Sequence, residues 1–207
     1  MKVVCISDTH NKHGYISVPD GDVLIHAGDM TGRGRLEELI GFVSWMKAQP
    51  HEHKILIAGN HDFIFENQPV VAQIMVGTSI TYLQDSEVVI GGVKFYGSPW
   101  QPWFFDWAFN LPRGEHLREK WDLIPEDTDV LITHGPPMGI LDLTTGGECV
   151  GCAELLVAVK RVKPKFHVFG HIHESYGEHT IHDTHFINAS TCTRQYNPTN
   201  PPICFDI

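Results

Sequence analysis

The sequence lacks the features of membrane and secreted proteins. No apolar run approaches about 18 residues, the length that a membrane-spanning helix requires. No leader with a charged and then an apolar region is visible, since Met1 and Lys2 run directly into a predicted strand. The five cysteines are an odd number, unlike the paired cysteines of a disulfide-stabilised secreted domain. These absences predict a cytoplasmic protein with reduced thiols and no membrane span.

Basic residues are also scarce. The chain has 15 Lys and Arg against 25 Asp and Glu, for a net charge of −10. A surface this acidic argues against the basic groove that long nucleic acid requires. It leaves a small phosphate ester open as substrate, because bound divalent cations reverse the local charge. Repeats, linkers and low-complexity segments are missing too, so residues 1–207 are expected to form a single domain.

The hydrophobic pattern predicts an α/β protein. Short apolar runs indicate β-strands at residues 3–6, 22–26, 54–58, 129–133 and 166–169. The apolar positions of residues 36–48 have helical spacing, and Pro50 ends that helix. The strand–helix–strand order predicts parallel pairing with helices on the sheet faces. Gly91 and Gly92 indicate a hairpin, so a meander or a second sheet is expected to follow.

Polar side chains follow each of these five strands. The segments are Asp8-Thr9-His10, Gly28-Asp29, Gly59-Asn60-His61-Asp62, His134-Gly135 and Gly170-His171-Ile172-His173. The carboxyl ends of strands in a layered α/β fold lie along one edge, so the five loops are expected to meet there. Gly59 is interpreted as the residue that lets the backbone turn sharply. An extended backbone is expected to point His171 and His173 to one side, and likewise Asp8 and His10.

Together these loops offer carboxylates, one amide and five imidazoles, without a thiolate. Each motif alone would also fit an ordinary turn or a capping role. The combined donor set suits Mn²⁺, Fe or Zn²⁺, with Co²⁺ or Ni²⁺ as further alternatives, and we take Mn²⁺ as the first expectation. It holds too many ligands for one ion and suits two. Two ions about 3.5–4 Å apart clamp an in-line displacement at phosphorus and activate a water between them as the nucleophile.

The five motifs, in this order, resemble those of the calcineurin-like metallophosphoesterase superfamily. The segments THGPP, KPKFHVFGHIHESYG and GSPWQPWFFDWAFN resemble more narrowly its branch of metallophosphoesterase-domain-containing proteins. The resemblance implies a β-sandwich of two mixed sheets flanked by helices. The metal site would lie at the carboxyl edge of the strands.

The resemblance also implies roles for individual residues. The first metal would be held by Asp8, His10 and His173, the second by Asn60, His134 and His171, and both by Asp29. His61 would act beside the leaving-group oxygen as a catalytic proton donor or a stabiliser of the phosphorane, and Asp62 is the candidate to orient it. Some members of the branch carry Gly in place of His171. The histidine in this chain therefore predicts a complete dinuclear site and an active enzyme.

Four further residues are candidates for substrate binding. Arg33 follows Asp29 by four residues, as a phosphate-gripping Arg does in the phosphoprotein-phosphatase pattern, although Gly32 replaces an acid there. A solvated loop arginine is the alternative. Residues 97–109 hold three of the five Trp, among them Trp100 and Trp103, which would form an aromatic wall for a flat group. A loop packed on its own aromatics is the alternative there. His116 is a last candidate.

The leading hypothesis is a dinuclear metal-dependent phosphoesterase for small phosphodiesters, with cyclic nucleotides as candidate substrates. A hydroxide that bridges the two metals would attack phosphorus. A phosphomonoesterase, such as a phosphoprotein phosphatase, is the first alternative and depends on Arg33. The second is a nucleotide-binding regulator with weak catalysis, against which the presence of His61 and His171 argues.

Overall fold

A computed structural model describes all residues of the chain, 1–207. The helices are α1 (Leu36–Ala48), α2 (Phe63–Asn67), α3 (Pro69–Val76), α4 (Glu115–Trp121) and α5 (Ala153–Val162). The strands are β1 (Lys2–Ile6), β2 (Val23–Ala27), β3 (His53–Ile57), β4 (Thr81–Tyr82), β5 (Ser86–Ile90), β6 (Val93–Ser98), β7 (Gln101–Pro102), β8 (Asn110–Leu111), β9 (Val130–Thr133), β10 (Phe166–Phe169), β11 (Gly177–Ile181), β12 (Thr184–Asn188) and β13 (Ile203–Asp206). None of the helices has both the length and the apolarity that crossing a membrane would require.

A five-stranded and a six-stranded mixed sheet form the centre of the molecule. The first has the order β13-β1-β2-β3-β4, in which β1 to β4 are parallel and β13 is antiparallel. The second has the order β11-β12-β10-β9-β6-β5, with antiparallel strands only at its two edges. The predicted hairpin is present, since β5 and β6 pair across Gly91 and Gly92. The fold implied by the resemblance is therefore confirmed.

Side chains that alternate along the central strands divide the interior into three hydrophobic cores. On β1, Val3 and Cys5 pack between the two sheets, whereas Val4 and Ile6 pack with residues of α1 and α3. The second sheet places its other face, which includes Leu131, against α4 and α5. The layers are thus helices, sheet, sheet, helices. Because both faces of each sheet are covered, its inner strands are rich in apolar residues instead of alternating strictly between apolar and polar ones.

The carboxyl ends of the parallel strands from both sheets meet at one edge. Backbone hydrogen bonds connect the residues that follow them. The Asp8 N–H donates to the Gly28 carbonyl at 2.9 Å, and the Gly170 N–H donates to the His134 carbonyl at 2.9 Å. The two sheets are joined there as well, since the Thr191 N–H donates to the Ser7 carbonyl at 2.8 Å. All five polar loops therefore lie at one place in the molecule.

Candidate metal centre

The residues predicted as metal ligands form connected clusters. Three groups have ligand atoms within 4.8 Å of one another: Asp8, His10 and His173; His10, Asp29 and His61; and Asp29, His134 and His171. The Asn60 side chain joins the last group, with its Oδ1 2.9 Å from His134 Nε2. The structure thus brings all seven predicted ligands together. The group of His10, Asp29 and His61 links the other two, because it shares His10 with one and Asp29 with the other. Which residue holds which ion stays a prediction.

Backbone carbonyls determine which nitrogen each imidazole offers. The Nδ1 atoms of three of the histidines face carbonyl oxygens: His10 faces Thr31 at 3.3 Å, His173 faces Thr193 at 3.0 Å, and His134 faces Ala27 at 2.9 Å. A carbonyl can only accept a hydrogen bond, so each Nδ1 carries the proton. Each neutral ring therefore presents the lone pair of its Nε2 to the site, as a metal ligand must.

These lone pairs converge on other acceptors. His10 Nε2 lies 3.3 Å from His173 Nε2, and His134 Nε2 lies 3.3 Å from Asp29 Oδ2. The side-chain amide oxygen of Asn60 lies 2.9 Å from the same Nε2 of His134. Acceptors that face one another in a buried site need a cation or a proton between them. The donor set therefore fits divalent cations at both clusters.

Burial and charge set the protonation of these groups. Burial lowers the pKa of His10 to about 4 and that of His171 to about 3. Burial acts in the same direction on His134, but the adjacent Asp29 carboxylate outweighs it and raises the pKa of His134 to about 9. Burial works against the Asp29 carboxylate too, yet His134 and neighbouring imidazoles hold the pKa of Asp29 below its ordinary value. Without a metal, a proton on His134 therefore supplies the positive charge beside Asp29 that a bound cation would supply.

The glycines of the loops make room for the ligands. A Cβ on Gly59 would overlap the Asp29 carboxylate, and one on Gly170 would overlap that of Asp8. The chain turns at Gly59 as expected, since the Asp62 N–H donates to the Gly59 carbonyl at 3.1 Å, but the φ of Gly59 lies outside the left-handed region. Left-handed backbone occurs at the ligands, with φ of 53° at Asp8 and 68° at His171. The expectation of extended backbone there is wrong.

Asp62 connects two of the loops instead of contacting His61. Its buried carboxylate accepts hydrogen bonds from the backbone N–H groups of Gly59 at 2.8 Å, Asp29 at 2.8 Å and Thr31 at 3.0 Å. The Thr31 hydroxyl donates to it as well, at 2.7 Å. The predicted orienting contact with the His61 ring is not made. Asp62 holds the loop after β2 against the loop after β3, and so positions Asp29.

His61 is oriented by a carbonyl and an aromatic ring. Its Nδ1 donates to the Gly32 carbonyl at 2.8 Å, which leaves Nε2 on the side of Asp29, 3.9 Å from Oδ2. The imidazole stacks on Trp107, with ring centroids 4.2 Å apart and 27° between the planes. These two contacts fix both the tautomer and the plane of the ring. They supply the function that the sequence suggested for Asp62.

A cavity of about 200 Å³ lies over the two clusters. Besides four predicted ligands it is lined by His61, Phe104, Trp107, Glu174, Arg194 and Tyr196. Phe104 and Trp107 belong to the segment 97–109, for which an aromatic wall was one interpretation. Glu174, Arg194 and Tyr196 were not identified from the sequence: Glu174 directly follows the motif that ends at His173, whereas Arg194 and Tyr196 lie outside all five motifs.

None of the four predicted substrate-binding residues lines this cavity. Trp100 is half-buried and donates its indole N–H to Asp85 at 2.9 Å, and Trp103 is 60% exposed. His116 is exposed on α4. Arg33 is exposed, and its guanidinium lies 5.6 Å from the centroid of the Trp107 ring. The structure therefore assigns the aromatic wall to other members of the same segment.

The sequence matches the model of the calcineurin-like phosphoesterase family over residues 1–175. The chain belongs to this family. The human Metallophosphoesterase domain-containing protein 1 is 48% identical to it over 230 residues, a match that covers 100% of this chain and 71% of the human protein. The mouse protein of the same name gives the same values. The resemblance to this branch of the family is thereby confirmed.

Solved structures of other proteins share the fold. The phosphopantetheinyl hydrolase PptH from Mycobacterium tuberculosis superposes with a TM-score of 0.63 at 13% identity, over 98% of this chain and 95% of that one. GAP50, the anchor in the inner membrane complex of Plasmodium, gives a TM-score of 0.51 at 10% identity, over 99% and 80%. At these identities the likeness concerns the fold alone.

Family membership and the carboxylate–imidazole clusters together establish the general chemistry. The chain is a metal-dependent phosphoesterase, a hydrolase of phosphoester bonds with a dinuclear site for divalent metals. Its substrate is a small phosphate ester. The identity of the metals, the preference for diesters and the cytoplasmic location stay predictions.

Proposed function

We propose that this calcineurin-like phosphoesterase hydrolyses small phosphodiesters, with cyclic nucleotides as candidate substrates and Mn²⁺ as the preferred metal. The observation that supports this proposal is the aromatic wall of Phe104 and Trp107 beside the metal clusters. A flat ester group can pack on that wall while its phosphate faces the metals. The monoesterase alternative depended on Arg33, which does not line the cavity.

The residues around the clusters suit such a reaction. Asp8, His10 and His173 would hold one ion, Asn60, His134 and His171 the other, with Asp29 between them. When bound, two divalent ions supply activation of a water and neutralisation of the phosphate charge. In its imidazolium form His61 would donate the Nε2 proton to the departing oxygen, while the Gly32 carbonyl accepts from Nδ1 of the same ring.

The role of His61 predicts a dependence on the leaving group. His61→Ala should lower turnover of an alkyl phosphodiester by about 10²–10⁴-fold, because an alkoxide needs a proton to depart. Turnover of a p-nitrophenyl diester should fall far less, since nitrophenolate leaves unprotonated. Kinetics with both esters and metal content by mass spectrometry check this, with exposed His179→Ala as the control. Loss of a metal ion from His61→Ala would instead make His61 a ligand.

Substrate class is tested by comparing three esters. Metal-stripped protein is reconstituted with Mn²⁺ and assayed on an aryl phosphodiester, an aryl phosphomonoester and cyclic nucleotides. We expect the diesters to be the faster substrates. A tenfold or greater preference for the monoester would contradict the proposal. Failure to turn over any ester in any metal would favour the nucleotide-binding regulator.

A further inference from the structure

Arg194 is the one cationic side chain that lines the cavity over the metal clusters, imidazoles apart. Its guanidinium has no hydrogen-bond, ion-pair or aromatic partner in the protein, unlike that of Arg113 or Arg161, which donate to backbone carbonyls. Arginine in such a position is suited to bidentate binding of a phosphate or carboxylate. An unpaired guanidinium is therefore available to a ligand in this cavity.

The backbone beside Arg194 is tied to the metal centre. The Thr193 carbonyl accepts the hydrogen bond from His173 Nδ1 at 3.0 Å. The next turn is closed by two more bonds, from the Thr193 N–H to the Asn197 carbonyl and from the Tyr196 N–H to the Thr193 carbonyl. Arg194 thus extends from a backbone that is fixed relative to a predicted ligand.

A second cavity of about 330 Å³ continues from the first. The two share three lining residues, His173, Glu174 and Arg194. The remainder of the second cavity is mostly polar, with hydroxyl and amide side chains such as Thr193 and Gln195. A ligand that occupies both the metal cavity and this polar cleft would therefore lie beside Arg194.

The two sides of the metal cavity differ in chemistry. Phe104 and Trp107 form an apolar side, whereas Glu174 and Arg194 form the side that continues into the polar cleft. The Glu174 carboxylate accepts the Thr145 N–H at 3.0 Å and keeps its negative charge, so Arg194 is the only Lys or Arg side chain on the polar side. Residues 1–175, which match the family model, contain every predicted metal ligand, whereas Arg194 lies beyond them. The free cation is thus an addition to the shared catalytic part.

We propose that Arg194 binds a second anionic group on the substrate, located in the polar cleft. The substrate class is then an unsymmetrical phosphodiester, with a flat group on one ester oxygen and an anionic polar group on the other. This inference rests on the proposed phosphodiesterase function and narrows it to acyclic diesters, since a cyclic nucleotide carries no second anionic group. The chain carries a net charge of −10, so a cation beside the second anionic group, away from the metals, would favour its binding.

A matched series of p-nitrophenyl phosphodiesters tests this. The second ester carries a 2-phosphoethyl, a 2-hydroxyethyl or a 2-(trimethylammonio)ethyl group, so the leaving group is constant. Wild-type kcat/KM should be about tenfold or more higher for the phosphoethyl than for the hydroxyethyl ester. Arg194→Gln should remove that preference through KM, and Arg194→Glu should favour the trimethylammonio ester.

Arg118→Gln is the matched control, because Arg118 is an exposed arginine that lines neither of the two cavities. The proposal is overturned if Arg194→Gln slows all three esters equally, or if Arg118→Gln has the same effect.

Binding of the non-hydrolysable methylphosphonate analogues, measured by calorimetry, separates failure of the anion site from failure of the proposed function. If the wild type hydrolyses none of the esters, the proposed function fails. Tenfold weaker binding of the anionic analogue by Arg194→Gln then still supports the anion site, and equal binding overturns it.

Discussion

Replacing His171 by glycine is expected to remove one of the two bound metal ions and to lower turnover by about a hundredfold or more. The His171 ring is one of the ligands that converge beside Asp29 and His134. In the absence of metal, the His171→Gly variant should be at least as stable as the metal-free wild type. His171 has a φ of 68°, a conformation that glycine adopts without the steric cost of a Cβ.

His182→Gly is the matched control for this substitution. His182 also has a positive φ, 53°, but it is exposed at the turn between β11 and β12, away from the metal clusters. Both variants relieve the same kind of backbone strain, and only His171→Gly should lose metal and activity. Metal content by mass spectrometry and thermal unfolding of the metal-free proteins measure the two effects. Retention of two ions and full activity by His171→Gly would reject His171 as a ligand.

The sequence predicted the positions of the ligands better than their backbone conformation. Apolar runs that stop at Gly, Asp or His mark the carboxyl ends of buried strands, and parallel pairing brings those ends together. The left-handed φ of His171, 68°, accompanies a contact with a distant loop, in which the His171 N–H donates to the Asp8 carboxylate at 3.0 Å. Local sequence does not contain those contacts. The extended backbone expected for the ligand pairs was wrong for this reason.

The aromatic segment shows the same limit. Trp100, Trp103 and Trp107 are equivalent in a composition-based argument, yet only Trp107 reaches the metal cavity. Trp103 and Trp107 lie at different places in the loop between β7 and β8, which pair in parallel, and Phe105 in that loop has a left-handed φ of 50°. Helix α2 was missed because five residues are too few to show a period.

Asp62 follows His61 in the sequence, and this adjacency suggested His61 as its partner, which was wrong. Asp62→Ala should lower the free energy of unfolding by about 3 kcal/mol or more. Three buried backbone N–H groups, those of Gly59, Asp29 and Thr31, would lose their acceptor at once. That is a large part of the roughly 5–15 kcal/mol that stabilises a typical domain. Urea unfolding of the metal-free protein measures it.

Two further substitutions serve as comparisons for the stability of Asp62→Ala. Asp127→Ala removes a carboxylate that is 73% exposed and paired with Lys94, and should change stability by less than about 1 kcal/mol. Asp62→Asn keeps one carbonyl oxygen but places an amide N–H against the remaining donors, so its stability should fall between those of the wild type and Asp62→Ala. If Asp62→Ala were as stable as Asp127→Ala, Asp62 would not hold the loops together. Burial and the nearby Asp29 charge raise the pKa of Asp62 to about 6, and no stabilising contact would then compensate for burying this carboxylate.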